Sequence, residues 1–152
     1  MANSYSQISI PAVFAVKHRQ HIIVQPWRDE LHKYINGIIR AEGAKPLATG
    51  EWKDHVHIFF GLPPACRIAD LIRTVKANSS RWINQHKLVP GHFEWQSGYG
   101  AFSYARSQRD TVIRYIMEQE AHHSKTSFKE EYTRLLEEFD VAWDEKYIFE
   151  FY

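Results

Sequence analysis

The chain has 152 residues, with 19 Lys/Arg against 18 Asp/Glu, and 14% of it is aromatic. That length suits one domain, 1–152, with a core of its own. No apolar run approaches the roughly 18 residues of a membrane span, and the first residues lack the basic-then-apolar layout of a signal peptide. With Cys66 as the single cysteine, an internal disulfide and a cysteine-rich zinc site are excluded, and a reducing, cytoplasmic setting is expected. The net charge of +1 conceals a split: residues 1–117 hold 15 Lys/Arg against 8 Asp/Glu, and residues 118–152 hold 4 against 10. A basic body with an acidic C-terminal extension, about 124–152, suits a polyanionic partner; an ordinary solvated surface has the same look.

Residues 5–16 read as a first strand in which Pro11, unable to donate to a ladder, marks a bulge or an exposed edge. The polar stretch Lys17–His21 follows. Pro26 opens a helix to about Glu42, with Leu31, Tyr34, Ile35, Ile38 and Ile39 on one face and Gly43 as its stop. A short strand over 44–49 and a turn at Gly50-Glu51 lead into a second hairpin strand, Asp54–Phe60. Strict alternation there sends Val56, Ile58 and Phe60 to one side and His55 and His57 to the other. Two imidazoles on one rigid face can share a divalent ion; a pair of surface histidines on a solvated sheet face is the plainer alternative.

Gly61–Pro64 ends that strand, and a second helix is predicted over Ile68–Gln85. Its packing stripe is Ile68, Leu71, Ile72, Val75 and Trp82. The opposite face carries Arg73, Lys76, Ser79 and Arg81, basic and hydroxyl side chains suited to phosphate contacts, a look that an exposed helix face often has; with Lys17 and Arg19 of the loop before the first helix these are the candidate residues for binding a polyanion such as a nucleic acid. Trp95 and Tyr99 come next, as stacking or core groups. Residues 93–105 read as an aromatic strand bent at Gly98 and Gly100. Ser107 is the predicted N-cap of a third helix reaching about His123, with Asp110 completing a capping box. A fourth helix, Ser127 to about Phe139, presents Phe128, Tyr132, Leu135, Leu136 and Phe139. The apolar end Tyr147–Tyr152 is expected to dock on the body or on a second copy. The order β-α-β-β-α-β, with appended C-terminal helices, predicts an α+β, ferredoxin-like (RRM-like) antiparallel sheet, helices on one face and the histidines on an open one.

On the third helix, Tyr115 and Gln119 are four apart and share a face. His55-Val56-His57, followed some sixty residues later by Tyr115 and Gln119, resembles the single-tyrosine HUH transposases of bacterial insertion sequences (IS200/IS605-like). Relatives of those enzymes are associated with repeated extragenic palindromes. The resemblance spans nearly the whole chain and includes Val13–Val16, Asp54–His57, Lys76–Ser80 and Trp95–Ser103. It implies a metal-dependent endonuclease and strand transferase acting on single-stranded DNA with hairpin ends. On that likeness Tyr115 is the nucleophile that forms a 5′-phosphotyrosine, and His55, His57 and Gln119 hold Mg²⁺ or Mn²⁺. The family also implies a homodimer in which one chain supplies the histidines and the other Tyr115 and Gln119.

Elementary chemistry agrees. A phenol with a pKa near 10 is a modest nucleophile at neutral pH, and a divalent ion at the phosphate would offset charge and orient in-line attack. A hydrolase needs only water, so a tyrosine at the metal favours transfer. Two other classes stay open: a non-catalytic single-stranded nucleic-acid-binding module on the same sheet, and a His-metal phosphodiesterase indifferent to Tyr115.

Overall fold

In the computed structural model, residues 5–19, 22–118 and 127–138 are described. Four strands, β1 (Ser9–Ala15), β2 (Lys45–Glu51), β3 (His55–Gly61) and β4 (Gly100–Ala101), form one antiparallel sheet in the order β2-β3-β1-β4. Helices α1 (Gln25–Ala41) and α2 (Ile68–Gln85) cover one face, and α3 (Arg109–Met117) and α4 (Phe128–Glu138) bring apolar side chains to the other. The β-α-β-β-α-β order and this strand sequence are the ferredoxin-like arrangement expected.

Alternation decides which residues face which helices. Ile10, Ala12 and Phe14 of β1 and Val56, Ile58 and Phe60 of β3 join Leu31, Ile35, Ile39, Leu71, Ile72 and Val75 in the main core. Val13 and Ala15 face the opposite way, toward Phe102, Tyr132 and Leu136. Phe59 shares that second face with Ala48, Val112 and Ile116. Two buried faces explain why the first six residues of β3 are all buried.

The histidine face is therefore not open, a correction to the sequence reading. His55 is 0% and His57 5% exposed, because α3 and α4 supply a second apolar layer that the acidic composition of the chain's end obscured. Pro11 sits in a central strand rather than at an edge, but its carbonyl accepts from Phe102 N (3.0 Å), so its nitrogen faces the side where β4 is only two residues long. Gly50 and Glu51 belong to β2, and the turn lies beyond them, closed by Trp52 N to His55 O at 3.0 Å.

The aromatic stretch 93–105 pairs with β1 only through Gly100–Ala101 and an isolated bridge, Val16 to Trp95. Its rings go inward instead: Trp95 lies edge-on to both Phe14 and Phe93, at 4.8 Å each. Asn84 grips the Phe93 backbone from both sides, donating to its carbonyl and accepting from its amide (3.0 and 2.7 Å). Gly98, at φ +88°, then turns the chain in a way most side chains resist. Ser107 does not cap α3; a 3₁₀ turn, Arg106–Gln108, precedes it, and the Gln108 side chain accepts from Ala105 N. Gln119, His122, His123, Phe139 and the end Tyr147–Tyr152 lie outside the described residues.

Candidate active site

The site begins with Asp54, 4% exposed at the entry to β3. Its Oδ1 accepts from His55 Nδ1 at 2.6 Å. A carboxylate only accepts, so this contact puts the His55 proton on Nδ1 and leaves Nε2 with its lone pair. Burial lowers the His55 pKa to about 4, against the opposing pull of Asp54. The ring is thus neutral at ordinary pH, the state a metal ligand needs.

Two residues on, the His57 ring lies 5.2 Å from that of His55, tilted 78°. α4 delivers Glu131 to the same place, its Oε1 2.9 Å from His57 Nε2. Potential ligand atoms of His55, His57 and Glu131 all fall within 4.8 Å of one another. Neighbouring ligands on an ion bound at about 2.1 Å sit about 3.0 Å apart at right angles. The donor set fits a divalent ion: two imidazoles and one carboxylate.

Tyr115 completes the cluster from α3. Its ring meets that of His57 edge-on, 5.8 Å between centroids and 89° between planes. Burial, then the charge and hydrogen bonding of Glu131, push the phenol far above its usual range and keep the proton on. A cavity of about 350 Å³ opens beside these groups, bordered by His57, Tyr104, Gln108, Tyr115, Glu131 and Arg134. One chain therefore brings Tyr115, His55 and His57 together, and the expected third ligand, Gln119, lies outside the described residues.

Asp54 and Glu131 had no assigned role in the sequence reading. Asp54 stood within the quoted histidine motif. Glu131 carried a fainter signal, a carboxylate inside the stripe that also holds Tyr132 and Leu135.

The candidate DNA contacts gather elsewhere, along a cleft of about 1460 Å³ between α2 and residues 92–99. Lys17, Arg73, Lys76 and Arg81 line it, as do Trp95 and Tyr99. Lys17 pairs with Glu94 at 2.7 Å and Arg73 with Asp70 at 3.1 Å, both in solvent. Lys76 donates to the carbonyls of Gln96 and Gly98 (2.8 and 2.6 Å) and fixes the cleft wall; burial lowers its pKa to about 8. Ser79 departs from expectation. It is 0% exposed, donates to Val75 O (2.6 Å) and accepts from Trp95 Nε1 (2.9 Å), so it braces the core rather than facing a phosphate. Arg19 belongs to the 3₁₀ turn Lys17–Arg19 at the same end of the molecule.

The chain is similar to known proteins in sequence and in fold. The family model described as "Transposase IS200 like" matches residues 4–119. The ISDra2 transposase TnpA of Deinococcus radiodurans is 24% identical over 125 residues, covering 78% of this chain and 86% of that one. A REP-associated tyrosine transposase, solved bound to a REP hairpin, is similar with a TM-score of 0.61 at 15% identity, over 95% of this chain and 91% of its own. A crystal structure from Deinococcus radiodurans assigned to the transposases gives 0.63 at 22% identity, over 76% and 93%. At those identities the two structures show a shared fold.

Proposed function

This chain belongs to the IS200-like transposase family, and from that premise we propose that it nicks and rejoins single-stranded DNA with Tyr115 as nucleophile. One observation carries the reading: within a single chain, the Tyr115 ring stands against His57 of a clustered His-His-Glu set. Tyr115 Oη attacks phosphorus, the P–O3′ bond breaks, and the phenolic proton ends on the released 3′ oxygen. The DNA stays attached through a 5′-phosphotyrosine. One diester replaces another, so a 3′-hydroxyl can reverse the step without ATP.

His55, His57 and Glu131 would hold a Mg²⁺ or Mn²⁺ ion, with Gln119 as a further candidate from the family likeness. Bound there, the ion supplies charge neutralisation at the scissile phosphate. Asp54 keeps His55 in the ligating tautomer, and Glu131 holds the Tyr115 proton until attack. The Arg73, Lys76 and Arg81 cleft supplies positive charge, and Tyr99 an exposed ring for stacking, the combination that single strands favour. The hairpin bound by the REP-associated relative supports a hairpin-ended DNA partner, in the cytoplasm where the chromosome lies. Because Tyr115 already meets His57 of its own chain, we infer a site that works in cis. A homodimer exchanging tyrosine helices is not needed to complete it.

The test uses Mn²⁺ and a labelled pool of single-stranded DNA hairpins with randomised flanks. Wild-type protein should give a denaturant-resistant protein–DNA adduct, and Tyr115→Phe should abolish it while hairpin binding persists. Cleavage surviving in that variant would move the assignment to a His-metal phosphodiesterase. Hairpin binding by the wild type with neither adduct nor cleavage would leave a non-catalytic binding module.

A further inference from the structure

We propose that Gly50 is the seat of the tyrosine helix, a positioning residue that sets where Tyr115 stands relative to the histidine pair. The inference rests on the reading of Tyr115 as nucleophile and adds a determinant outside the reacting groups. A Cβ at Gly50 would lie 2.0 Å from the carbonyl oxygen of Ile116, 2.9 Å from its carbonyl carbon and 3.0 Å from its Cγ2. The backbone of α3 thus rests on the backbone of β2, with a glycine hydrogen where any other residue has carbon. Such Cα–H···O=C contacts are weakly attractive. The carbonyl belongs to the last turn of α3, where helix carbonyls lack a partner within the helix.

Position in the sheet gives the contact its consequence. Gly50 pairs directly with His57 in the β2–β3 register. Ile116, which it receives, is the residue after Tyr115. One backbone contact therefore locks the nucleophile's helix over the strand pair that carries the ligands. Gly61 and Gly37 show the contrast, since at Gly61 a Cβ would meet nothing nearer than 3.6 Å, and at Gly37, in the exposed part of α1, nothing within 4 Å; at Gly100 it would meet only side chains, the Tyr132 ring at 2.9 Å and that of Phe102 at 3.2 Å. Alanine at position 50 would have to move α3 by about 1 Å to clear even a 3.0 Å separation. A displacement of that size costs about 100-fold in rate when it separates reacting groups.

The test compares wild type, Gly50→Ala and Gly37→Ala. The chain has two methionines, Met1 and Met117, and Met117, at the end of α3, is 58% exposed. Its ¹³C-labelled methyl reports how near the helix lies to Mn²⁺ added alone. In wild type and Gly37→Ala, Mn²⁺ should broaden that signal. In Gly50→Ala the broadening should fall while Mn²⁺ affinity and hairpin binding are kept, and adduct formation should slow about 100-fold. Wild-type broadening and adduct rate in Gly50→Ala would overturn the proposal. Should that variant fail to fold, warming the wild type decides: the Gly50 amide and Met117 methyl should shift with one midpoint, and separate midpoints overturn the seat. A wild type that forms no Tyr115 adduct refutes the nucleophile instead, and the methyl signal then judges the seat alone.

Discussion

Replacing Asp54 by Ala tests how the site holds its first histidine. The carboxylate is nearly buried and accepts from His55 Nδ1 at 2.6 Å, beside an imidazole that is itself fully buried. Removing it leaves an N–H away from water with its acceptor gone, which costs about 1–3 kcal/mol of folding stability. It also releases the tautomer that directs Nε2 at the ligand position. Loss of such an outer partner lowers metal affinity by about 10- to 100-fold, or about 1.4–2.7 kcal/mol. Asp54→Asn keeps an acceptor oxygen of the same shape and should fall at the low end of both ranges. Chemical denaturation without metal reads the first effect, and loss of the free Mn²⁺ paramagnetic resonance signal on titration reads the second. Wild-type Mn²⁺ affinity in Asp54→Ala would refute the assignment of His55 as a ligand oriented by that carboxylate.

Other consequences follow from groups away from the centre. Ser79→Ala should cost about 1–3 kcal/mol in denaturation, since it strands the buried Trp95 N–H, while hairpin affinity of the folded protein stays unchanged. Arg73→Ala and Arg81→Ala should each weaken hairpin binding and reduce the slope of log affinity against log salt by about 0.7; an unchanged slope would remove them from the DNA path. His32, 3.4 Å from the buried Glu51 carboxylate, has its pKa raised by that partner. Its contribution is fully present below about pH 6.5, the unfolded value, and is lost as pH rises through the higher folded value. Stability curves should therefore show His32→Gln costing more at pH 5.5 than at pH 9.

What the sequence made legible was what local chemistry encodes. The period of two in Val56, Ile58 and Phe60 against His55 and His57 describes a sheet with distinct faces, and the structure keeps that division residue by residue. The α2 stripe through Leu71, Ile72 and Val75 was likewise written in its spacing. Long-range packing was not. Nothing in residues 127–138 alone says that their inner face will lie against β1 and bring Glu131 to His57, because the apolar acceptor surface of Val13, Ala15 and Phe102 is built from distant segments. Ser79 was misjudged for a related reason: its hydroxyl suited a phosphate as well as it suits Trp95, and only the inward turn of 93–96 decides between them. The aromatic stretch read as a continuous strand by composition, yet it pairs with β1 only at Val16–Trp95 and Gly100–Ala101, and side-chain bonds from Asn84 and Lys76 hold its backbone at Phe93, Gln96 and Gly98.

The most direct trial of the central claim is to digest the covalent protein–DNA complex and identify, by mass spectrometry, the residue that bears the nucleotide. The account predicts a single modified peptide with the phosphate on Tyr115. A phosphate found on Tyr104, the other phenol bordering the same cavity, or on any further side chain would contradict it.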